Sequence, residues 1–199
     1  MKLVGLTGGI ACGKSTVSKL LVQAGIPVLD ADRIAHSVTE KGRWGYRRVV
    51  AAFGPTILRS DGEIDREALA ALVFHDAQQR RRLNAATHPA VGAELARLAL
   101  LAWLRCRPVL VVDMPLLFET GFARLTSPNV LVACSPAIQL QRLRERDGLA
   151  QAAAQARIAA QMPVEAKRRL AGVVLENDGT QQELRAQWVN GSEAAAQSS

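Results

Sequence analysis

Apolar positions along this chain fall into short runs bounded by turn residues, separated by stretches in which they recur at helical spacing. "KLVGLT", Lys2 to Thr7, is a short apolar run ended by glycines, which predicts a buried strand. After a glycine-rich turn, "KSTVSKLLVQAG" carries Val17, Leu20, Leu21 and Ala24 at helical spacing, with Gly25 placed to end that helix in a left-handed cap. "IPVLD" reads as a second strand. Strand, helix and strand in succession make a βαβ unit, which implies a parallel sheet covered by helices. Three further strands are predicted: Val109 to Val112 ending in Asp113, "NVLVACS" from Asn129, and "GVVLEN" from Gly172. The expected class is α/β, with a five-stranded parallel sheet flanked by helices.

Two stretches exceed what such a sheet needs, since a crossover takes only about a dozen residues. Arg33 to Arg107 reads as mostly helical, in "DREALAALVF", "AQQRRRLNAA" and "PAVGAELARLALLAWL", with "FGPTILRSDGEID" as a turn-rich break. In this reading His88 sits before or at a helix cap and Pro89 takes the first helical position. The second stretch, Ile138 to Pro163, is helical and rich in Arg and Ala, with a break at Asp147-Gly148. The expected organisation is a core of residues 1–32, 108–137 and 164–189, a helical insertion over 33–107, an Arg-rich lid over 138–163 and a flexible tail over 190–199.

Composition narrows the picture without changing the class. The chain has 199 residues, enough for one α/β domain with insertions, and only 4% aromatics, so aliphatic side chains must fill its core. The net charge of +7 is carried mainly by Arg, whose planar fork suits phosphate. Arg is not interleaved with stacking aromatics, so a nucleic-acid partner is not expected. Cys12, Cys106 and Cys134 have no metal or disulfide spacing, which points to a reducing cytoplasm. Glycines interrupt the apolar N-terminus and Lys14 ends it, so it does not read as a signal peptide, and no run is long enough to span a bilayer.

The glycine-rich turn carries the most specific chemistry. "GGIACGKS", Gly8 to Ser15, matches G-x-x-x-x-G-K-[ST] in full, with a strand before it and a helix after. In such a P-loop, backbone N–H groups and the helix N-terminus surround the phosphates, Lys14 reaches the β- and γ-phosphates, and the Ser15 hydroxyl ligates Mg²⁺. Gly8, Gly9, Ile10, Ala11, Cys12, Gly13, Lys14, Ser15 and Thr16 are the nucleotide-binding candidates. Alanine is strained at positive φ, so Ala11 is expected at negative φ or at a small cost. Cys12 is read as a small side chain tolerated beside phosphate. The fold expectation becomes P-loop NTPase-like.

Three features point to phosphoryl transfer onto a small acceptor. No N-K-x-D segment reads guanine, which disfavours a GTPase switch. "DAD" ends the second strand, and residues two apart on a strand share a face, so Asp30 and Asp32 are expected to face the phosphate site together. Asp32 is the candidate general base or holder of a magnesium-bound water, against a capping role. Asp113 resembles a Walker B carboxylate acting on Mg²⁺ through water, and equally suits a strand-end turn before Pro115. Arg142 and Arg146 share a helical face and Arg157 lies on the next helix, a lid over transferring phosphate or a solvated face.

The ordered set "GLTGGIACGKST", "VLDAD", "FGPTIL", "DGEIDREAL", "VFHD", "THPAV", "DMPLLFE", "QLQRLRERDGL" and "ARIAAQMP" resembles the dephospho-CoA kinase family from about Lys2 to Asn177. The resemblance implies Mg²⁺-dependent transfer of phosphate from ATP to the ribose 3′-hydroxyl of dephospho-CoA, with another nucleoside or nucleotide kinase as the alternative. It implies Asp32 as base, with Lys14 and Arg142 as catalytic partners. It also implies Arg146 and Asn177 on the nucleotide, and His88 of the helical insertion, Arg157 of the lid and Asp32 on the acceptor. The chain departs from the family at Ala11-Cys12, in "THP" for the commoner "LHP", and in Gly172 where Asp is usual.

Overall fold

The strand that leads into the glycine-rich turn occupies the centre of the sheet. A computed structural model describes residues 1–74, 76–180 and 182–187. In it β1 (Lys2–Gly8) is buried from Val4 onward, as expected for a parallel strand covered on both faces. The sheet runs β2 (Val28–Asp30), β3 (Val109–Asp113), β1, β4 (Asn129–Ala133), β5 (Val173–Glu176). β1 pairs in parallel with β3, Leu6 lying opposite Asp113, and with β4 on its other side. The carboxyl ends of β1 and β3 therefore share the edge at which α/β sheets bind their ligands. The five strands are those expected from the apolar runs.

α1 (Lys14–Gln23) buries Val17 and Leu21, one turn apart, against Val4, Leu6, Val111, Val130, Val132 and Leu175. Leu184, from the helical residues 182–187, completes this aliphatic core. Gly25 ends α1 at φ 77°, where its N–H reaches the Val22 carbonyl and the Ile26 N–H reaches that of Leu21. These are the two bonds of a glycine-terminated helix, as the sequence suggested. The proposed tail over 190–199 lies outside the described residues.

The chain divides into two compact units, one of residues 1–28 with the chain from Cys106 onward, the other Leu29–Arg105. The second unit holds α2 (Ala31–Ser37), α3 (Trp44–Phe53), α4 (Arg66–Phe74) and α5 (Ala77–Leu104). Its core gathers Val49, Ile57, Ile64 and Ala86. Ile57 and Ile64 come from the turn-rich break, which forms a single 3₁₀ turn (Pro55–Ile57) and an antiparallel bridge between Leu58 and Ile64.

Two local expectations fail here. β2 ends at Asp30, and Asp32 stands in the first turn of α2, so the two carboxylates do not alternate along a strand. The Asp30 carboxylate instead caps α2, accepting the Arg33 N–H at 2.9 Å, because a short polar side chain at that position satisfies an otherwise orphaned amide. Nor does a helix start at Pro89. α5 begins after Asp76, whose carboxylate caps Gln78 and Gln79, and runs through Pro89 for 28 residues.

An interior proline withdraws one N–H and crowds the carbonyl four residues back, here Ala85. Arg48 of α3 makes up the deficit: its Nη2 donates to the Ala85 carbonyl at 3.0 Å and its Nε to the Ala86 carbonyl at 2.9 Å. The same guanidinium lies 5.4 Å from the centroid of the Trp44 ring. A fork with fixed donor geometry serves two adjacent carbonyls in a way that a lysine could not.

The first unit adds α6 (Pro136–Asp147), α7 (Gln151–Ala159) and α8 (Val164–Leu170). The expected break between the first two is present, with Gly148 left-handed at φ 64°.

Arg48→Met should destabilise the protein by about 1–3 kcal/mol, since two carbonyls lose a charged donor. Combining it with Pro89→Ala, which restores the Ala85 bond within the helix, should recover part of that loss. Denaturant midpoints of the two single variants and the double variant measure this. Strictly additive effects would mean that Arg48 does not serve the proline gap.

Candidate active site

The turn after β1 forms one side of a cleft of about 270 Å³. Gly8, Gly9, Ile10, Ala11, Gly13, Lys14 and Ser15 line it, together with Pro115, Arg146 and Gln161. Lys14 and Ser15 open α1, whose first N–H groups have no partner within the helix and leave positive potential at this end. Thr16 belongs to the same turn, its N–H bonded to the Gly13 carbonyl at 2.9 Å.

The loop backbone is not uniform. Gly13 has φ 88° and Ala11 has φ 59°. The expectation of negative φ at Ala11 is thus overturned in favour of its alternative, a left-handed alanine that costs about 1–2 kcal/mol. The chain must reverse between Gly9 and Gly13, and the Cys12 N–H closes that turn on the Gly9 carbonyl at 3.1 Å. Cys12 points away from the cleft. It is 1% exposed, and its Sγ lies 3.0 Å from that of Cys134. The hydrogen bond to Cys12, then burial, raises the Cys134 thiol well above its ordinary range, so that it stays protonated.

Lys14 forms an ion pair with Asp113 at the end of β3. The other Asp113 oxygen accepts from the Ser18 hydroxyl, one turn further along α1. Asp113 is buried, and both its oxygens are engaged by α1. Behind the cleft, the Pro115 carbonyl accepts the Thr7 hydroxyl at 3.0 Å and the Lys167 ammonium at 3.4 Å. Lys167 is 1% exposed and pairs with Glu119 at 2.8 Å. A buried ammonium is tolerated only with such a partner.

The arginines expected in a lid are all engaged within the first unit. Arg142 donates to the Asn177 carbonyl at 2.7 Å. Arg146 and Arg157 share one carboxylate, that of Asp147, at 2.7 and 2.8 Å. Arg146, then Arg157, holds the Asp147 carboxyl below its ordinary pKa. This bridge spans the Gly148 break and ties α6 to α7. Asn177 is buried and gives its side-chain amide to the Cys12 carbonyl at 2.8 Å. Asp32 and His88 belong to the second unit, both exposed, Asp32 in the first turn of α2 and His88 within α5.

Residues 2–183 match the family model for dephospho-CoA kinase. The chain belongs to the dephospho-CoA kinase family. It is 47% identical over 188 residues to the dephospho-CoA kinase of Arabidopsis thaliana, covering 94% of this chain and 81% of that one. With the dephospho-CoA kinase of Geobacillus kaustophilus it shares 46% identity over 185 residues, 92% of either chain. The crystal structure of TT1252 from Thermus thermophilus superposes with a TM-score of 0.83 at 36% identity, covering 98% of this chain and 97% of that one. A shikimate kinase from Bacteroides thetaiotaomicron, at 15% identity and a TM-score of 0.53, shares the fold alone. The kinase is thus a P-loop enzyme, in agreement with the reading from its motifs.

Sequence reasoning passed over Gln139, Gln161, Ser18 and the Lys167–Glu119 pair. For Gln139 a signal was present: it lies one turn before Leu143 on the buried stripe of α6, a polar residue at an apolar position. Gln161 follows α7 outside any periodic pattern and could be found only in the folded chain.

Ala11→Gly should relieve the left-handed alanine and raise stability by up to about 1 kcal/mol, with the flexible unfolded chain offsetting part of the gain. Urea denaturation reads this directly. A loss of stability would show that the methyl group packs usefully.

Proposed function

We propose that this kinase transfers the γ-phosphoryl group of ATP to the ribose 3′-hydroxyl of dephospho-CoA, giving coenzyme A and ADP. The observation that carries the reading is a complete phosphate cradle, with Lys14 and Ser15 on the cleft, in a chain matched from residue 2 to 183 by the dephospho-CoA kinase model. The loop amides and the N-terminus of α1 receive the phosphates. Lys14, held in place by Asp113 and Ser18, exchanges its carboxylate partner for β- and γ-phosphate oxygens. Arg146, on the same cleft, supplies further positive charge, as Arg142 does from the preceding turn of α6.

Asp32 takes the proton of the 3′-hydroxyl as that oxygen attacks phosphorus in line with the leaving ADP oxygen. Its exposure and the capping duty of Asp30 support this choice between the two carboxylates. His88 and Arg157 are acceptor-side residues in this reading, and Asn177 serves the nucleotide side.

Ser15 offers one neutral hydroxyl on the cleft, a donor set that suits Mg²⁺, which takes few protein ligands and several from phosphate and water. Asp113, or Asp32, would assist through water. When bound, the ion neutralises charge on the phosphates. The reaction runs in the cytoplasm in this reading, in keeping with the free thiols of Cys12, Cys106 and Cys134. No helix among the described residues is long and apolar enough to cross a membrane.

The test offers the purified protein ATP and magnesium with dephospho-CoA, nucleosides and nucleoside monophosphates separately, following ADP release and coenzyme A by chromatography. Turnover with dephospho-CoA alone is expected, and chelation by EDTA should abolish it. Turnover only with a nucleoside or a nucleotide monophosphate would overturn the assignment. Asp32→Asn should lower kcat by about 10²-fold or more. Survival of turnover within a few-fold would remove Asp32 from the role of base.

A further inference from the structure

Three carboxamide side chains drawn from three different parts of the first unit hold the phosphate loop, Gln139 and Asn177 from behind and Gln161 from the cleft. Gln139 of α6 donates its Nε2 to the Ile10 carbonyl at 2.9 Å. Gln161, in the turn after α7, accepts the Ile10 N–H at 2.9 Å. Asn177, just past β5, donates its Nδ2 to the Cys12 carbonyl at 2.8 Å. Gln139 is 6% exposed and Asn177 7%, so neither amide has a role toward solvent.

The two carbonyls taken are those immediately before the left-handed residues, Ala11 and Gly13. In a planar trans peptide the C=O of one residue and the N–H of the next point in opposite directions. Anchoring the Ile10 carbonyl to the rear therefore turns the Ala11 N–H forward. Anchoring the Cys12 carbonyl does the same for the Gly13 N–H. Ala11 and Gly13 both line the cleft.

Two glycines of the motif make room for this brace. A Cβ on Gly9 would stand 2.8 Å from the Gln139 Nε2. A Cβ on Gly13 would collide with the Asn177 amide. Glycine at these positions thus serves the carboxamides behind the loop as well as the phosphates in front of it.

We propose that Gln139 and Asn177 are positioning residues of the kinase, which aim the Ala11 and Gly13 amides at the β-phosphate of the nucleotide by fixing the carbonyls that precede them. Gln161 holds the preceding peptide, Gly9–Ile10, through the Ile10 N–H and links the segment after α7 to the loop. The inference rests on the nucleotide-binding half of the proposed function and is independent of the acceptor.

Two measurements test it. In the unmodified protein, amide hydrogen exchange by NMR is followed with and without saturating ADP. The Ala11 and Gly13 amides should gain protection by at least about tenfold, while that of Cys12, already bonded to Gly9, should change little. Calorimetric titration of AMP and ADP is then compared in the unmodified protein, Gln139→Met, Asn177→Leu and the double variant. ADP carries the β-phosphate and AMP does not, so the ratio of their dissociation constants isolates the cradle. Each single variant should shrink the preference for ADP by about five- to tenfold, the size of one misaimed bond. A preference for ADP kept within twofold in a folded variant, even with a lowered melting temperature, would make the brace merely structural and overturn the proposal. So would unchanged exchange at Ala11 and Gly13 in the ADP complex. Failure of the unmodified protein to bind ADP at all would instead sink the nucleotide reading, and this inference with it.

Discussion

The reversal of the chain between β1 and α1 is the constraint on which the rest of this structure depends. A phosphate cradle must turn its N–H groups toward one point, and a chain that does so turns its carbonyls away. Those carbonyls need partners, because an unpaired polar group out of water costs about 1–3 kcal/mol. Gln139 and Asn177 supply them at the two sharpest points of the turn. The position of β1 between β3 and β4, and the burial of Val17 and Leu21, fix where the turn starts and where its helix leaves. The loop is held in front of a rigid sheet edge, which suits a group that must bind without reorganising.

Charge around the cleft is organised in small closed sets. Lys14 pairs with Asp113, which also receives Ser18. Lys167 pairs with Glu119 and reaches the Pro115 carbonyl. Arg146 and Arg157 converge on Asp147. The exposed Asp147 bridge contributes little to stability, as surface pairs generally do, and serves instead to tie α6 to α7 across Gly148. The Lys167 pair is a different case, since removal of Glu119 would strand the Lys167 ammonium in the interior. A chain with a +7 balance thus keeps its most interior cations, Lys14 and Lys167, neutralised by carboxylates.

The second unit solves a separate problem by the same means. A 28-residue helix with an internal proline leaves the Ala85 carbonyl without its partner in the helix. The Arg48 fork, brought in by α3, accepts that duty. In both units a side chain distant in sequence satisfies a backbone group that its own element leaves unpaired.

The strands, the cradle and the Gly25 cap were legible in the chain because each depends on neighbours within a few residues: apolar runs, a spaced glycine-lysine-serine motif, a glycine after the last apolar turn. The ordered motifs likewise sufficed for the family. What the sequence misjudged was settled from far along the chain at Pro89 and Ala11, and by a local helix cap at Asp30. Pro89 reads as a helix start until Arg48 is seen on the freed Ala85 carbonyl. Asp30 and Asp32 read as a strand pair until β2 ends between them and a helix begins. Ala11 reads as a residue to be kept at negative φ until Gln139 is found holding the peptide before it. Local pattern determined which elements form and what the loop can bind. Only the tertiary structure decided how that loop is held, because the groups that hold it lie 129 and 165 residues away along the chain.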